Sequence, residues 1–141
     1  MTPSGPDLLF AYGTLRRGGG GPPPLVAALD RHTVWAGPGW LGARLYRVTG
    51  YPAAVLCSHG SAQVVGDLWR LSPGLPHGLL AQLDAYEGAD YHRKVCAVVP
   101  DGGQGPVQAW VYLWRRRVTG LRRIASGDWL AVRRPPPSPQ R

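Results

Sequence analysis

Leu8-Leu9-Phe10-Ala11-Tyr12-Gly13-Thr14-Leu15 is an apolar run that breaks on a glycine. Its first five residues have the composition of a buried strand. Gly13 then permits a backbone turn that most residues resist, and a backbone without a side chain can approach a ligand closely. Amide N–H groups fanning out of such a turn form a small nest for an anion or a carbonyl oxygen. The same string also suits an ordinary strand-to-loop turn.

A second stretch bears on the first. Leu83-Asp84-Ala85-Tyr86-Glu87-Gly88-Ala89-Asp90-Tyr91-His92-Arg93 contains the only glutamate of the chain, whose other acids are seven aspartates. A carboxylate on a longer stem between two tyrosines can be carried into a pocket, where desolvation raises its pKa toward the range useful to a general acid/base. A solvent-facing glutamate at a helix end is the competing reading. Leu75, Leu79, Leu80, Leu83 and Tyr86 recur at helical spacing, predicting a helix from Ser72 or Pro73 that Gly88 stops. Glu87 then lies at the helix C-terminus, where the last carbonyls disfavour an ionised carboxylate and add to the upward shift.

Outward from these two segments the pattern is mostly β. After the strand Leu8–Tyr12, a Gly/Pro-rich loop runs from Arg16 to Pro24, and a short helix over Leu25–Leu29 is started by the prolines. Extended segments are expected at Thr33–Ala36, Leu41–Val48, Ala53–Cys57 and Gln63–Leu71, separated by Gly37-Pro38-Gly39, Thr49-Gly50 and Ser58-His59-Gly60. Val95–Pro100 and Val107–Trp114 read as paired strands across Asp101-Gly102-Gly103-Gln104-Gly105. Pattern alone allows a sandwich, a barrel or an α+β sheet.

The chain has 141 residues, enough for one sizeable core. Twenty glycines and 15 prolines imply many turns, while 44% hydrophobic content opposes global disorder. The net charge of +8 is concentrated after Trp114, where eight arginines face one acid, Asp128. Arginine clusters can bind phosphate backbones, but a solvated surface is the commoner use, and nucleic acid is not the expected partner. The expected organisation is one domain over 1–131 and an Arg/Pro-rich disordered tail over 132–141. Cys57 and Cys96 lie in apolar runs and read as two buried free thiols of a reducing compartment. The four histidines lack metal-ligand spacing, so no metal is expected, and His92 reads as a surface residue on an alternating strand. No charged leader opens the chain and no apolar run approaches the ~18 residues of a membrane span, so a soluble cytoplasmic protein without membrane association is expected.

Taken together, Tyr12-Gly13-Thr14-Leu15-Arg16-Arg17-Gly18, Gly50-Tyr51-Pro52-Ala53-Ala54-Val55, Val65-Gly66-Asp67-Leu68-Trp69, the Glu87 segment with Tyr91-His92-Arg93, Ala109-Trp110-Val111-Tyr112 and Ile124-Ala125-Ser126-Gly127-Asp128-Trp129 resemble, in order, the gamma-glutamylcyclotransferase-like (AIG2-like) superfamily. The resemblance implies an α+β fold, a small closed or nearly closed mixed β-barrel with a few flanking helices. It implies an enzyme that cyclises a γ-glutamyl amine or γ-glutamyl amino acid to 5-oxoproline and releases the amine, with no cofactor. Glu87 would be the general acid/base. Backbone groups of Tyr12, Gly13, Thr14 and Leu15 would bind the small-molecule γ-glutamyl substrate, with Tyr91 as a hydrogen-bond donor nearby and Arg93 steadying the local structure. The alternatives are a non-catalytic ligand binder of the same fold and, behind it, an Arg-rich nucleic-acid-associated protein. Neither the leaving amine nor the oligomeric state follows from the sequence.

Overall fold

The computed structural model describes residues 6–57, 62–72, 77–103 and 105–133. In chain order the elements are β1 (Leu8–Ala11), α1 (Pro23–His32), β2 (Thr33–Val48), β3 (Tyr51–Leu56), β4 (Gln63–Leu71), α2 (His77–Glu87), β5 (Tyr91–Pro100), β6 (Val107–Trp114), β7 (Arg122–Ile124) and α3 (Trp129–Arg133). Five strands, β2-β4-β1-β6-β5, close into a mixed barrel because β2 pairs with β4 and, over Gly39–Leu41, with β5 as well. β1 and β6 run parallel, and the other pairs are antiparallel. The far half of β2 leaves the barrel and pairs with β3 on one side and β7 on the other. This is the α+β barrel that the resemblance implied.

The apolar run of β1 is explained by burial on both faces. Leu8, Phe10 and Tyr12 pack into the barrel interior with Leu41, Val64, Leu68, Val98 and Val111. Leu9 and Ala11 point the other way, onto a second cluster beneath the helices with Leu25, Leu29 and Leu83. A barrel this narrow needs small residues opposite large ones. Gly66, paired with Gly39, has no room for a side chain, since a Cβ there would stand 2.6 Å from the Phe10 ring and 2.5 Å from the Ala11 carbonyl.

Several expected boundaries move. Thr33–Ala36 and Leu41–Val48 are one 16-residue strand, not two. Gly37 takes a positive φ of 102° and the register with β4 shifts between Trp35 and Pro38, so the Gly-Pro-Gly segment is a bulge within a paired strand. A bulge bends the strand and increases its twist, which lets β2 serve both the barrel and the outer sheet. Helix α1 is longer than expected at both ends, entered at Pro23 and closed by the Thr33 hydroxyl donating to the Leu29 carbonyl at 2.6 Å. β5 begins at Tyr91 rather than Val95, and β7 and α3 are additional elements. Helix α3 carries the chain backbone through Arg133, one residue beyond the expected start of the tail at 132, and residues 134–141 lie outside those described. The expected start of α2 at Ser72 or Pro73 and the contribution of Leu75 fall on or beside residues outside those described. Cys96 is a buried free thiol as expected, but Cys57 lies just past β3 and is only half-buried. No helix among the described residues is long and apolar enough to cross a membrane.

Candidate active site

Where β1 leaves the sheet, the chain turns at once. The Arg16 N–H donates to the Gly13 carbonyl at 3.0 Å, making a tight turn with Thr14 and Leu15 at its centre. The turn's own hydrogen bond uses neither of their N–H groups. Gly13 is required for a reason other than the expected one. Its φ is not in the left-handed region, but a Cβ would come within 2.9 Å of Pro52 Cγ at the start of β3. Close packing, not backbone freedom, selects the glycine.

The second half of this loop is tied down by acids from distant parts of the chain. Arg16 Nε donates to Asp67 Oδ2 at 3.2 Å and its terminal nitrogen to Asp128 Oδ1 at 2.9 Å. Asp67, buried on β4, also accepts from the Arg17 N–H at 3.0 Å and from the Trp35 indole N–H at 3.1 Å. The Trp69 indole donates to the Leu15 carbonyl at 3.2 Å. A buried ion pair is tolerable when its remaining hydrogen-bonding capacity is met in this way. The pieces that carry the family resemblance at 12–18, 65–69 and 124–129 thus meet in one network.

Opposite the loop, α2 ends as the spacing indicated. Gly88 takes φ 85° and its N–H donates back to the Asp84 carbonyl at 3.0 Å, a glycine stop. Glu87, the last helical residue, is half-buried. Among the described residues no group pairs with its carboxylate, and burial pushes its pKa from 4.5 up to about 7. One turn earlier, Asp84 behaves in the opposite sense. Arg93 holds it ionised through bonds of 2.9 and 3.3 Å, and the Tyr112 hydroxyl donates to it, so its pKa is lowered. Arg93 also stacks on Trp110 at 4.4 Å and does not reach the cavity lining.

Between loop and helix end lies a cavity of about 320 Å³. Tyr12, Gly13, Thr14, Leu15, Glu87 and Tyr91, the residues expected to catalyse or to bind substrate, all line it. Tyr86, expected to flank Glu87, lines it too, while the membership of Tyr51, Pro52, Asp90 and Tyr112 was not anticipated. Tyr51 and Pro52 stood in a quoted motif, but only the folding of β3 across the mouth reveals their contact. The Tyr86 and Thr14 hydroxyls share a hydrogen bond of 2.5 Å that bridges the loop to the helix.

Two tyrosines are more engaged than their sequence roles suggested. The Tyr12 hydroxyl donates to the Tyr112 carbonyl and accepts from the Ala54 N–H at 3.3 Å, so its side chain braces β1 against β6 and β3. The Tyr91 hydroxyl donates to the Pro52 carbonyl, leaving its lone pairs to accept. Burial first, and the Glu87 charge further down, raise the pKa of both phenols, which therefore remain protonated. The cavity offers one titratable group poised near neutrality, a turn whose Thr14 and Leu15 N–H groups donate to no backbone carbonyl among the described residues, and an aromatic wall.

Comparison with known proteins gives the family and the fold. The chain belongs to the gamma-glutamyl cyclotransferase, AIG2-like family, whose model matches residues 9–131. It is 37% identical over 89 residues to the gamma-glutamylcyclotransferase family protein YtfP of Escherichia coli K12, covering 62% of this chain and 67% of that protein. The solution structure of ytfP from Escherichia coli superposes with a TM-score of 0.60 at 30% identity, covering 90% of this chain and 99% of the other. An AIG2-like protein from Mus musculus gives a TM-score of 0.61 at 25% identity, over 86% and 88% of the two chains. YkqA from Bacillus subtilis shares the fold (TM-score 0.65, 22% identity, 87% of this chain), which spans 39% of that longer protein.

Proposed function

We propose that this protein cyclises a γ-glutamyl amine or γ-glutamyl amino acid, releasing the amine and forming 5-oxoproline, with Glu87 as general acid/base. The observation that carries this reading is the Glu87 carboxyl, without a partner among the described residues, lining the same cavity as the Gly13–Leu15 turn and with its pKa raised by burial to about 7. In the reaction the substrate's α-amine attacks its own γ-carbonyl carbon. A C–N bond closes the five-membered lactam and the original amide C–N bond breaks. Folding the substrate back in an enclosed cavity supplies orientation. Ionised Glu87 takes a proton from the α-ammonium and then gives it to the departing nitrogen. A carboxyl half-ionised near neutral pH suits both transfers, because neither the acid nor the base form is scarce. The N–H groups of the turn would hold the carbonyl oxygen, where charge develops, or the substrate carboxylate. The phenols stay neutral, and serve as hydrogen-bonding and apolar wall rather than as bases.

The deciding experiment is a panel of γ-glutamyl compounds assayed for 5-oxoproline, with Glu87→Gln beside the wild type. Glutamine keeps the shape but cannot cycle a proton, so turnover is expected to fall at least ~10²-fold. Wild-type turnover should rise as pH climbs through about 7, the pKa of Glu87. N-acetylating a turned-over substrate should abolish amine release, since an amide nitrogen is not a useful nucleophile. Full activity in the glutamine variant removes Glu87 from the mechanism. Free glutamate as product, or undiminished cleavage of the acetylated compound, replaces cyclisation by hydrolysis.

A further inference from the structure

Past the turn, the chain doubles back and lays Gly19 against it. Gly19 is buried, and its N–H donates to the Arg16 carbonyl at 2.7 Å. A Cβ on Gly19 would stand 2.6 Å from the Thr14 carbonyl oxygen, 2.8 Å from that of Gly13 and 2.9 Å from that of Arg16. Three carbonyls therefore converge on one glycine. In a trans peptide the N–H points opposite to the preceding C=O, and no described peptide bond is cis. If the carbonyls of Gly13 and Thr14 face Gly19, the N–H groups of Thr14 and Leu15 face away from it. Gly13, Thr14 and Leu15 line the cavity, whereas Gly19 does not.

We infer that Gly19, together with the Arg16–Asp67–Asp128 network, sets the peptide planes of the turn so that the Thr14 and Leu15 N–H groups are presented to an oxygen of the substrate. They are positioning residues that touch no substrate. The network adds the second half of the device. Asp67 and Asp128 absorb the donors of Arg16, the Arg17 N–H and the Trp35 indole. These bonds anchor the loop at Arg16 and Arg17, directly after the Thr14-Leu15 centre of the turn. Fixed N–H dipoles hold a substrate oxygen in the bound state because they are already oriented before it arrives. Gly19 has no left-handed φ, so an alanine there meets crowding alone and tests orientation without backbone strain.

This inference rests on the reaction proposed above, and the experiment separates the two. Gly19→Ala, Gly21→Ala and Asp67→Asn are compared with wild type for KM, kcat, pH midpoint and Tm on the best γ-glutamyl substrate. Gly19→Ala should raise KM at least ~10-fold, as expected when a contact to the bound substrate is lost, while leaving the pH midpoint near that of the wild type. Gly21→Ala should raise it less, because its Cβ would lie 3.0 Å from the Thr14 oxygen and 3.3 Å from Leu15 Cδ2. Asp67→Asn keeps an oxygen for only one of the Arg17 and Trp35 donors, which use different carboxylate oxygens, and loses the charge that holds Arg16, so it should also raise KM. If Gly19→Ala does not fold, the other two carry the same comparison. A lowered Tm with unchanged KM in the folded variants makes the network merely structural and overturns the inference. A wild type silent on every γ-glutamyl compound defeats the proposed reaction alone. The positioning is then read by amide NMR during titration with 5-oxoproline. Thr14 and Leu15 resonances that move in the wild type and stay still in Gly19→Ala support it, and resonances that stay still in the wild type overturn it.

Discussion

At the scale of single residues, Glu87 and Asp84 show how environment, not residue type, assigns chemistry. They sit one helical turn apart. Asp84 is met by a guanidinium and a phenol and stays ionised, whereas Glu87 is half-buried without a partner among the described residues and ionises only near pH 7. That difference has a consequence for stability. In the unfolded chain Glu87 ionises near 4.5 and in the fold near 7, so between these values the folded state holds the extra proton. Stability contributed below the lower value is lost as pH rises through the upper one. Glu87→Gln has no such loss. Its stability relative to wild type should be nearly level near pH 4 and should climb to an advantage of roughly 1–3 kcal/mol above about pH 8, allowing for the carboxyl's partial solvent access. Denaturant melts at the two pH values check this. An advantage independent of pH, or confined to acid, would show that Glu87 ionises normally.

Elements are joined here by glycines that admit another strand's backbone. Gly127, between β7 and α3, has φ 69°, and a Cβ there would lie 1.8 Å from the Gln63 carbonyl oxygen at the start of β4. Its own carbonyl accepts from the Val65 N–H at 2.8 Å, so the turn is stitched to β4. This contact holds Asp128 within reach of Arg16 and delivers Trp129 into the barrel core. Gly127→Ala combines backbone strain with a collision and should cost at least ~2 kcal/mol, read as a fall in Tm. A variant as stable as the wild type would mean that the turn is free to move aside. The Thr14–Tyr86 bond is the corresponding join between loop and helix α2, and it places Tyr86 on the cavity rim instead of the apolar stripe to which its spacing pointed.

For the molecule as a whole, the decisive event is closure of β2 on β5. It is made by three register pairs, Gly39–Pro100, Trp40–Val99 and Leu41–Val98. At that point β2 is also paired with β4, and a Cβ on Gly39 would come 2.9 Å from the Val99 carbonyl oxygen and 3.4 Å from Leu68. Gly39→Val should therefore pry the seam, lowering stability by ~1–3 kcal/mol. Hydrogen exchange should quicken for the β2 and β5 amides at the seam while the β5–β6 hairpin keeps its protection. Uniform loss of protection in the folded variant would show that the barrel opens only as a unit. Arg116 is paired with Asp90 at 2.8 Å and Arg115 donates to the Ala89 carbonyl, so two of the arginines after Trp114 hold the exit of α2 beside the site.

The sequence by itself determined the pieces whose physics is local. Unbroken apolar character marked β1, β4 has the bounds Gln63–Leu71 expected from its composition, and helical spacing with a following glycine put Glu87 at the end of α2. Even the upward pKa shift was legible as a direction, because a lone carboxyl among tyrosines has few ways to stay solvated. Tertiary structure alone decided the rest, since it depends on groups far apart in the chain. Arg16 meets Asp67 and Asp128 at separations of 51 and 112 residues, which no local pattern encodes. Pairing with β4 carried β2 through a Gly-Pro-Gly segment that would otherwise end a strand. Gly13 was chosen by the nearness of Pro52 and not by its own dihedral freedom, because packing against a distant strand restricts a position as firmly as backbone geometry does.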